Sequence, residues 1–263
     1  MIARITLRTV ALGYLALLLV FPVLMVFARA FQNGLAPAWE AVTSPDALHA
    51  LWLTVLAAAI AVAANTVFGI VCAIVLVRHS FRGRGLLNAL LDLPLAVSPV
   101  VVGLALFLLY GSASPVGSWL VGHGVKVIFS TPGIVLATMF VSLPFVVREV
   151  MPVLREIGTE QEQAASTLGA SPLQTFWMVT LPAIRQGVAY GIVLTTARAI
   201  GEFGAVSVVS GRISGLTETM TIYVQDRFQN FDLVGCYAAS VVLALIAIAT
   251  LLLTNLFKPK EER

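Results

Sequence analysis

Apolar and polar positions do not alternate along most of this chain. Long apolar runs, each far longer than a β-strand, are separated by short polar intervals. The runs cover about residues 9–30, 50–77, 87–110, 131–148, 183–209 and 233–257. A helix needs roughly 20 mostly apolar residues to cross about 30 Å of hydrocarbon, whereas a barrel strand needs about 9–11. Only helices and closed barrels satisfy their backbone groups in lipid. The pattern therefore predicts an all-α fold, a six-span transmembrane helical bundle forming a single domain over residues 1–263.

Composition narrows the class further. Hydrophobic residues make up 59% of the chain and charged ones only 11%, against about 25% charged in soluble domains. That is too little polar material to cover a water-facing surface, so a soluble globular enzyme is excluded. Disorder is excluded as well, because disordered chains are poor in apolar residues. Cys72 and Cys236 both fall inside apolar runs, and no structural disulfide is expected.

The net charge of +3 matters less than its placement. With the N-terminus in the cytoplasm, the inner segments hold eleven basic residues: Arg4, Arg8, Arg78, Arg82, Arg84, Arg148, Arg155, Arg185, Lys258, Lys260 and Arg263. The outer segments hold four: Arg29, Lys126, Arg212 and Arg227. This positive-inside bias predicts that both termini are cytoplasmic. Arg4 and Arg8 ahead of an apolar run, with Ala28-Arg29-Ala30 beyond it, also fit a secretory signal. The run is longer than a usual signal core, and an uncleaved first span is expected. Ala57, Ala58, Ala59, Ala61, Ala63 and Ala64 crowd the second run, as expected where helices approach closely in lipid.

The longest polar interval, about residues 149–182, then lies on the cytoplasmic side. Thr159 and Glu162 fit a capping box, predicting a helix from Glu160 to Leu168. Gly169 stands where a left-handed residue would end that helix. Ser171-Pro172 fits the N-cap and first position of another, and Leu181-Pro182 predicts a bend before the fifth run. Two readings stay open from the residues alone: an ordered loop, or a docking element whose small Ala164, Ala165 and Ser166 side chains suit insertion into another protein's groove.

The interval also resembles a known motif. Gln163-Ala164-Ala165, three residues, Gly169, nine residues, then Val179-Thr180-Leu181-Pro182 is similar to the EAA loop of type I ATP-binding-cassette importer permeases. That family reads Glu-Ala-Ala, three residues, Gly, nine residues, Ile-x-Leu-Pro. Gln163 replaces the Glu here and Val179 the Ile, with Glu162 adjacent as a substitute carboxylate. The resemblance implies a coupling helix in which Glu162, Gln163, Ala164, Ala165, Gly169, Leu181 and Pro182 face a separate ATPase. It also implies two permease chains, an ATPase dimer and a periplasmic binding protein, with membrane lipid around the spans and no nucleic acid. No GxxxxGK[ST] occurs in the chain. No cofactor and no enzymatic activity are therefore expected in this chain, with ATP and Mg bound by the partner.

Two more stretches resemble one branch of that family. Residues 91–103, LDLPLAVSPVVVG, look like the third-span segment of sulfate/thiosulfate permeases, and the Ser98-Pro99 version is closest to their W-type subunits. Residues 197–205, ARAIGEFGA, with Ser210-Gly211 and Thr217-Glu218-Thr219, look like the sulfate, molybdate and tungstate group. The implied activity is inward translocation of sulfate or thiosulfate across a bacterial inner membrane. The implied partners are a T/U-type permease and a periplasmic sulfate/thiosulfate-binding protein. A homodimeric molybdate or tungstate permease, an ion-coupled secondary carrier and a membrane scaffold are the alternatives.

A charged side chain inside a span marks a pathway or a buried pair. Arg198 and Glu202 are four apart and, in one helix, would share a face. They are either a structural pair or the lining of a translocation path, with Thr195, Thr196 and Ser98 as further lining candidates. Asp92 is expected at the interface, and Ser98-Pro99 and Pro144 are expected to mark kinks. His49 and His123 have no partners at metal-ligand spacing, so no metal site is assigned. The segment 111–130 is expected to lie along the outer interface, as a connector or as a contact for the binding protein.

Overall fold

The computed structural model describes residues 2–257, with side chains described from residue 6 to residue 253 except residue 251. Arg4, Lys258, Lys260 and Arg263, used above for orientation, lie outside the described side chains. Among the described residues every regular element is helical. Five helices are long and apolar enough to cross a membrane, and a bent pair makes a sixth span if its two limbs are counted together.

The first span joins α1 (Ile2–Leu15) and α2 (Phe21–Ala30) through a π-helical turn at Ala16–Val20. Nearly all its described side chains are exposed, as suits a helix facing lipid. Next come α3 (Leu35–Thr43) and the long α4 (Pro45–Arg78), capped by Ser44, whose hydroxyl accepts from Ala47 N at 3.3 Å. One stripe of α4 is buried, at Ala47, Ala50, Ala57, Ala58, Ala61, Gly69 and Ala73, while Ala59 and Ala63 face outward. Small residues let backbones approach where lipid offers no hydrophobic drive to pack. A Cβ on Gly69 would sit 2.7 Å from Val146 Cβ, so this glycine permits the crossing of α4 with the fourth span.

The expected third span is not one helix. α5 (Arg84–Ala96) and α6 (Pro99–Tyr110) meet at 111° across Val97-Ser98. At 13 and 12 residues, and about 1.5 Å per residue, neither limb crosses the hydrocarbon alone. The Ser98-Pro99 signal marks a full break rather than a kink: proline has no N–H to continue the ladder and disfavours helix at the preceding residue. The connector that follows contains α7 (Pro115–Gly122), capped by Ser114.

The fourth span runs through α8 (Thr131–Ser142) and α9 (Pro144–Glu156), eight residues beyond the expected end. Pro144 disturbs the ladder without ending it. Leu143 N–H reaches Phe140 O at 3.4 Å rather than Met139 O, and Asn65 Nδ2 from α4 donates to Met139 O at 2.9 Å. A polar side chain thus satisfies the carbonyl left unpaired beside the proline.

After α10 (Glu160–Thr167) and α11 (Pro172–Thr175), a second π turn at Phe176–Thr180 leads into α12 (Leu181–Ile200). The bend expected at Leu181-Pro182 is absent, and Pro172–Ile200 forms one 29-residue helical stretch. Both π turns directly precede a proline at the start of the next helix, Pro22 or Pro182. A wider turn there accommodates a residue that cannot donate and would clash with a regular helical carbonyl. α12 ends at Ile200, nine residues before the expected end at 209, and is followed by α13 (Val206–Val209), α14 (Met220–Gln229) and α15 (Leu233–Phe257). Three buried clusters hold the bundle. One joins α4, α5, α9 and α12, one joins α4, α6, α8, α13 and α14, and one joins α4, α14 and α15. Cys72 and Cys236 are buried and unpaired.

Candidate functional site

Two regions carry polar chemistry where the spans cannot explain it. The first is the element between α9 and α12. Gly169 has φ +85°, the left-handed conformation expected, and nothing approaches a Cβ built there. Ser171 accepts from Gln174 N at 3.3 Å and its own N–H donates to Gln174 Oε1 at 2.8 Å, a complete capping box. The box expected at Thr159 and Glu162 does not form, and Thr159 makes no side-chain cap. Its hydroxyl accepts from Gln163 Nε2 at 3.1 Å instead.

Glu162 is drawn elsewhere. Its Oε2 lies 3.0 Å from Arg78 Nε, and its Oε1 accepts from Arg78 Nη2 at 3.2 Å and from Thr180 Oγ1 at 2.9 Å. Arg78 also donates to Leu154 O at 2.9 Å, in the last turn of α9, and to Gly158 O at 2.6 Å, just past its end. In the sequence Arg78 counts only toward the charge bias and Thr180 is only the unspecified position of the motif, so neither carries a role at this site. Arg78 and Glu162 are 84 positions apart, a separation without local signature. The carboxylate that could have replaced Gln163's missing charge is thus turned toward the chain's own spans. Gln163, Ala164 and Ser166 remain exposed on α10, Ala165 is half-buried, and Leu168, expected inside the helix, is exposed as its C-cap. Leu168 at 88%, Leu173 at 67%, Trp177 at 59% and Met178 at 77% exposure continue an apolar surface over α11 and the π turn. Leu181 is half-buried and Pro182 exposed.

The second region is where two broken helices meet. The stretch after α12 packs on the N-terminus of α6: a Cβ on Gly204 would fall 2.8 Å from Pro99 Cβ, and one on Gly103 would fall 2.7 Å from Ala205 O. Arg198 Nη1 and Glu202 Oε2 are 2.7 Å apart. They do not share a helix face as expected, because α12 stops at Ile200 and Glu202 lies beyond its Gly201 cap. Glu202 is buried, accepts from Ala205 N at 2.8 Å, and its backbone carbonyl accepts from Thr221 Oγ1 at 2.8 Å. It therefore ties the end of α12 to the following loop and to α14. Arg198 keeps its side chain about a third exposed, at 31%.

Thr195 does not stand on an open face. It is wholly buried and its hydroxyl donates to Gly191 O at 2.7 Å within the helix. Thr196 is half-buried and bonds Ile192 O at 2.8 Å, while Ser98 is exposed at the break. Asp92, expected at the interface, is engaged by Arg148, whose Nε donates to Oδ1 at 2.8 Å and whose Nη2 contacts Oδ2. This pair joins α5 to α9 and was not foreseen. Among the described residues no group of His, Cys, Asp and Glu is arranged to hold a metal.

Residues 65–263 match the family model described as the binding-protein-dependent transport system inner membrane component, and the chain belongs to that family. Its bundle has the fold of an ATP-binding-cassette importer permease. A bacterial ABC transporter involved in import of the acidic polysaccharide alginate superposes with a TM-score of 0.78 at 17% identity, covering 97% of this chain and 93% of that one. Among relatives, the chain is 50% identical over 250 residues to the sulfate transport system permease protein CysW of Synechocystis sp., covering 95% of this chain and 91% of the relative. It is 49% identical to CysW of Escherichia coli K12 over 94% of this chain and 85% of that one. Identity with CysT of Escherichia coli K12 is 40%, over 93% and 89%.

Proposed function

We propose that this chain is the membrane-spanning permease subunit of an ATP-driven importer of sulfate or thiosulfate in a bacterial inner membrane. The observation that carries the importer reading is the exposed α10–α11 element, a short helix, a left-handed glycine and a capped second helix slung between two spanning helices. The anion follows from near-full-length likeness to CysW proteins. The likeness to CysT supports a second, related permease as partner. A periplasmic binding protein would deliver the anion, and the charge bias along the chain supports a cytoplasmic side for both termini and α10.

In this reading α10 with Gln163, Ala164, Ala165 and Leu168 docks on an ATPase dimer that binds ATP and Mg, and the chain has no enzymatic step of its own. The apolar side chains around Leu168 suit a contact that excludes water, since charged residues are depleted from interface cores. Transport demands weak binding along the path, because a site that held a dianion tightly would not release it. Arg198, already half-committed to Glu202, and the exposed Ser98 meet that demand better than a free cation would.

Labelled-sulfate uptake is the test, in cells lacking their own sulfate permease, with this chain restored and with the ATPase intact or disabled. Uptake returning only when both are present is expected. No sulfate uptake by an assembled complex would redirect the reading to molybdate or tungstate. Uptake indifferent to the ATPase would overturn it in favour of an ion-coupled carrier.

A further inference from the structure

α10 presents a mechanical problem. None of its eight residues is buried, so no apolar core holds it to the bundle. A helix meant to pass a displacement into the membrane needs a stiff attachment to the spans, and here that attachment is polar. Arg78 is the last residue of α4, a helix of 34 residues. Its guanidinium binds Leu154 O in the last turn of α9 at 2.9 Å, Gly158 O just past that helix at 2.6 Å, and both carboxylate oxygens of Glu162 on α10. Glu162 in turn accepts from Thr180 at the entry to α12. The pair is largely shielded, with side-chain exposures of 11% and 22%, so water and salt screen it weakly.

We propose that Arg78 and Glu162 are positioning residues that carry movement of α10 into α4, α9 and α12 together. The inference rests on the reading of α10 as the ATPase-docking helix. It adds that the acidic residue of this loop works inward, on its own chain, and leaves the outward contact to uncharged groups. A planar guanidinium serves this node better than an ammonium: five N–H donors in a fixed fork hold two carbonyls and a carboxylate at once.

The experiment uses the assembled complex of this chain with its second permease, ATPase and binding protein in proteoliposomes. It reads ATP hydrolysed per anion imported. Arg78→Lys and Glu162→Asp keep both charges but lose the fork or the reach. Arg78→Gln and Glu162→Gln remove the pairing. The neutral variants are expected to raise ATP spent per anion by about fivefold or more, the lower end of typical coupling between sites. The charge-keeping variants are expected to fall between these and the wild type. If the neutral variants fail to assemble, the charge-keeping pair still decides, because a wild-type ratio in both overturns the proposal. Leu168→Glu separates the underlying reading: an ATPase that stays bound to this variant would defeat α10 as the docking helix. An ATPase displaced by it, with an unchanged ratio in the Arg78 and Glu162 variants, would defeat the proposed node alone.

Discussion

Single residues in this chain are placed by the cost of leaving polar groups unpaired. Asn65 answers a carbonyl beside Pro144, Arg78 answers two at and just past the end of α9, and Glu202 accepts the N–H of Ala205. Glu218, between α13 and α14, is a further case, being only 2% exposed. Burial pushes its pKa above the ordinary value of 4.5 and Asp226 and Asp46 add to this, while the Ser214 hydrogen bond and Arg227 oppose it. Arg227 is shared, lying 3.6 Å from Asp46, 3.8 Å from Asp232 and over the Tyr223 ring at 4.6 Å. A carboxyl whose pKa is raised by folding binds its proton more tightly in the folded state. Stability from this group is therefore lost as pH rises from the ordinary value through the raised one. Glu218→Gln, neutral at all pH and similar in shape, is expected to be more stable than the wild type near pH 7 and to lose that advantage near pH 4. Thermal unfolding of the detergent-solubilised chain across that range checks it; a difference independent of pH would remove Glu218's ionisation as the cause.

Among the elements, the turn between α10 and α11 depends on one conformation. Because nothing in this chain surrounds a Cβ built on Gly169, that Cβ meets no clash within the chain and its effect on the turn is conformational. The left-handed region costs an L-residue about 1–2 kcal/mol, and asparagine tolerates it better than most. Gly169→Val is expected to lower uptake several-fold at equal expression while Gly169→Asn stays near the wild type. Equal uptake in both would mean that the angle between α10 and α11 does not matter to transport. Proline shows how context decides at this scale. Pro99 starts a new helix at 111° to the last, Pro144 sits in a continuous span, and Pro182 follows a π turn without a bend. The residue is the same each time and the outcome is not; at Pro144 the Asn65 side chain satisfies the disturbed ladder, and at Pro182 a wider turn absorbs it.

At the scale of the whole molecule, the two broken helices converge so that Arg198 and Glu202 stand beside the α6 break. Removing Arg198 alone would leave Glu202 buried without its cation, which typically costs about 3–5 kcal/mol and would confound any transport measurement. The informative variant is Arg198→Gln with Glu202→Gln. It is expected to assemble and to import anion at least about tenfold more slowly, roughly 1.4 kcal/mol in the barrier. Wild-type uptake by the double variant would make the pair structural only. The sequence by itself determined the all-helical membrane class, because a run of apolar residues has no other stable arrangement in lipid. It also determined the left-handed turn at Gly169 and the Ser171 cap, since both are settled within a few residues. Only the tertiary structure decided that the Ser98-Pro99 signal is a full break at 111° while Pro144 is not, how far the fourth and fifth spans extend, that Thr195 is buried, and that Glu162 points inward to Arg78. The fourth span keeps going past Pro144 with Asn65, 74 positions from Met139, on the freed carbonyl, and Glu162 turns inward to Arg78, 84 positions away; no local pattern encodes such partners.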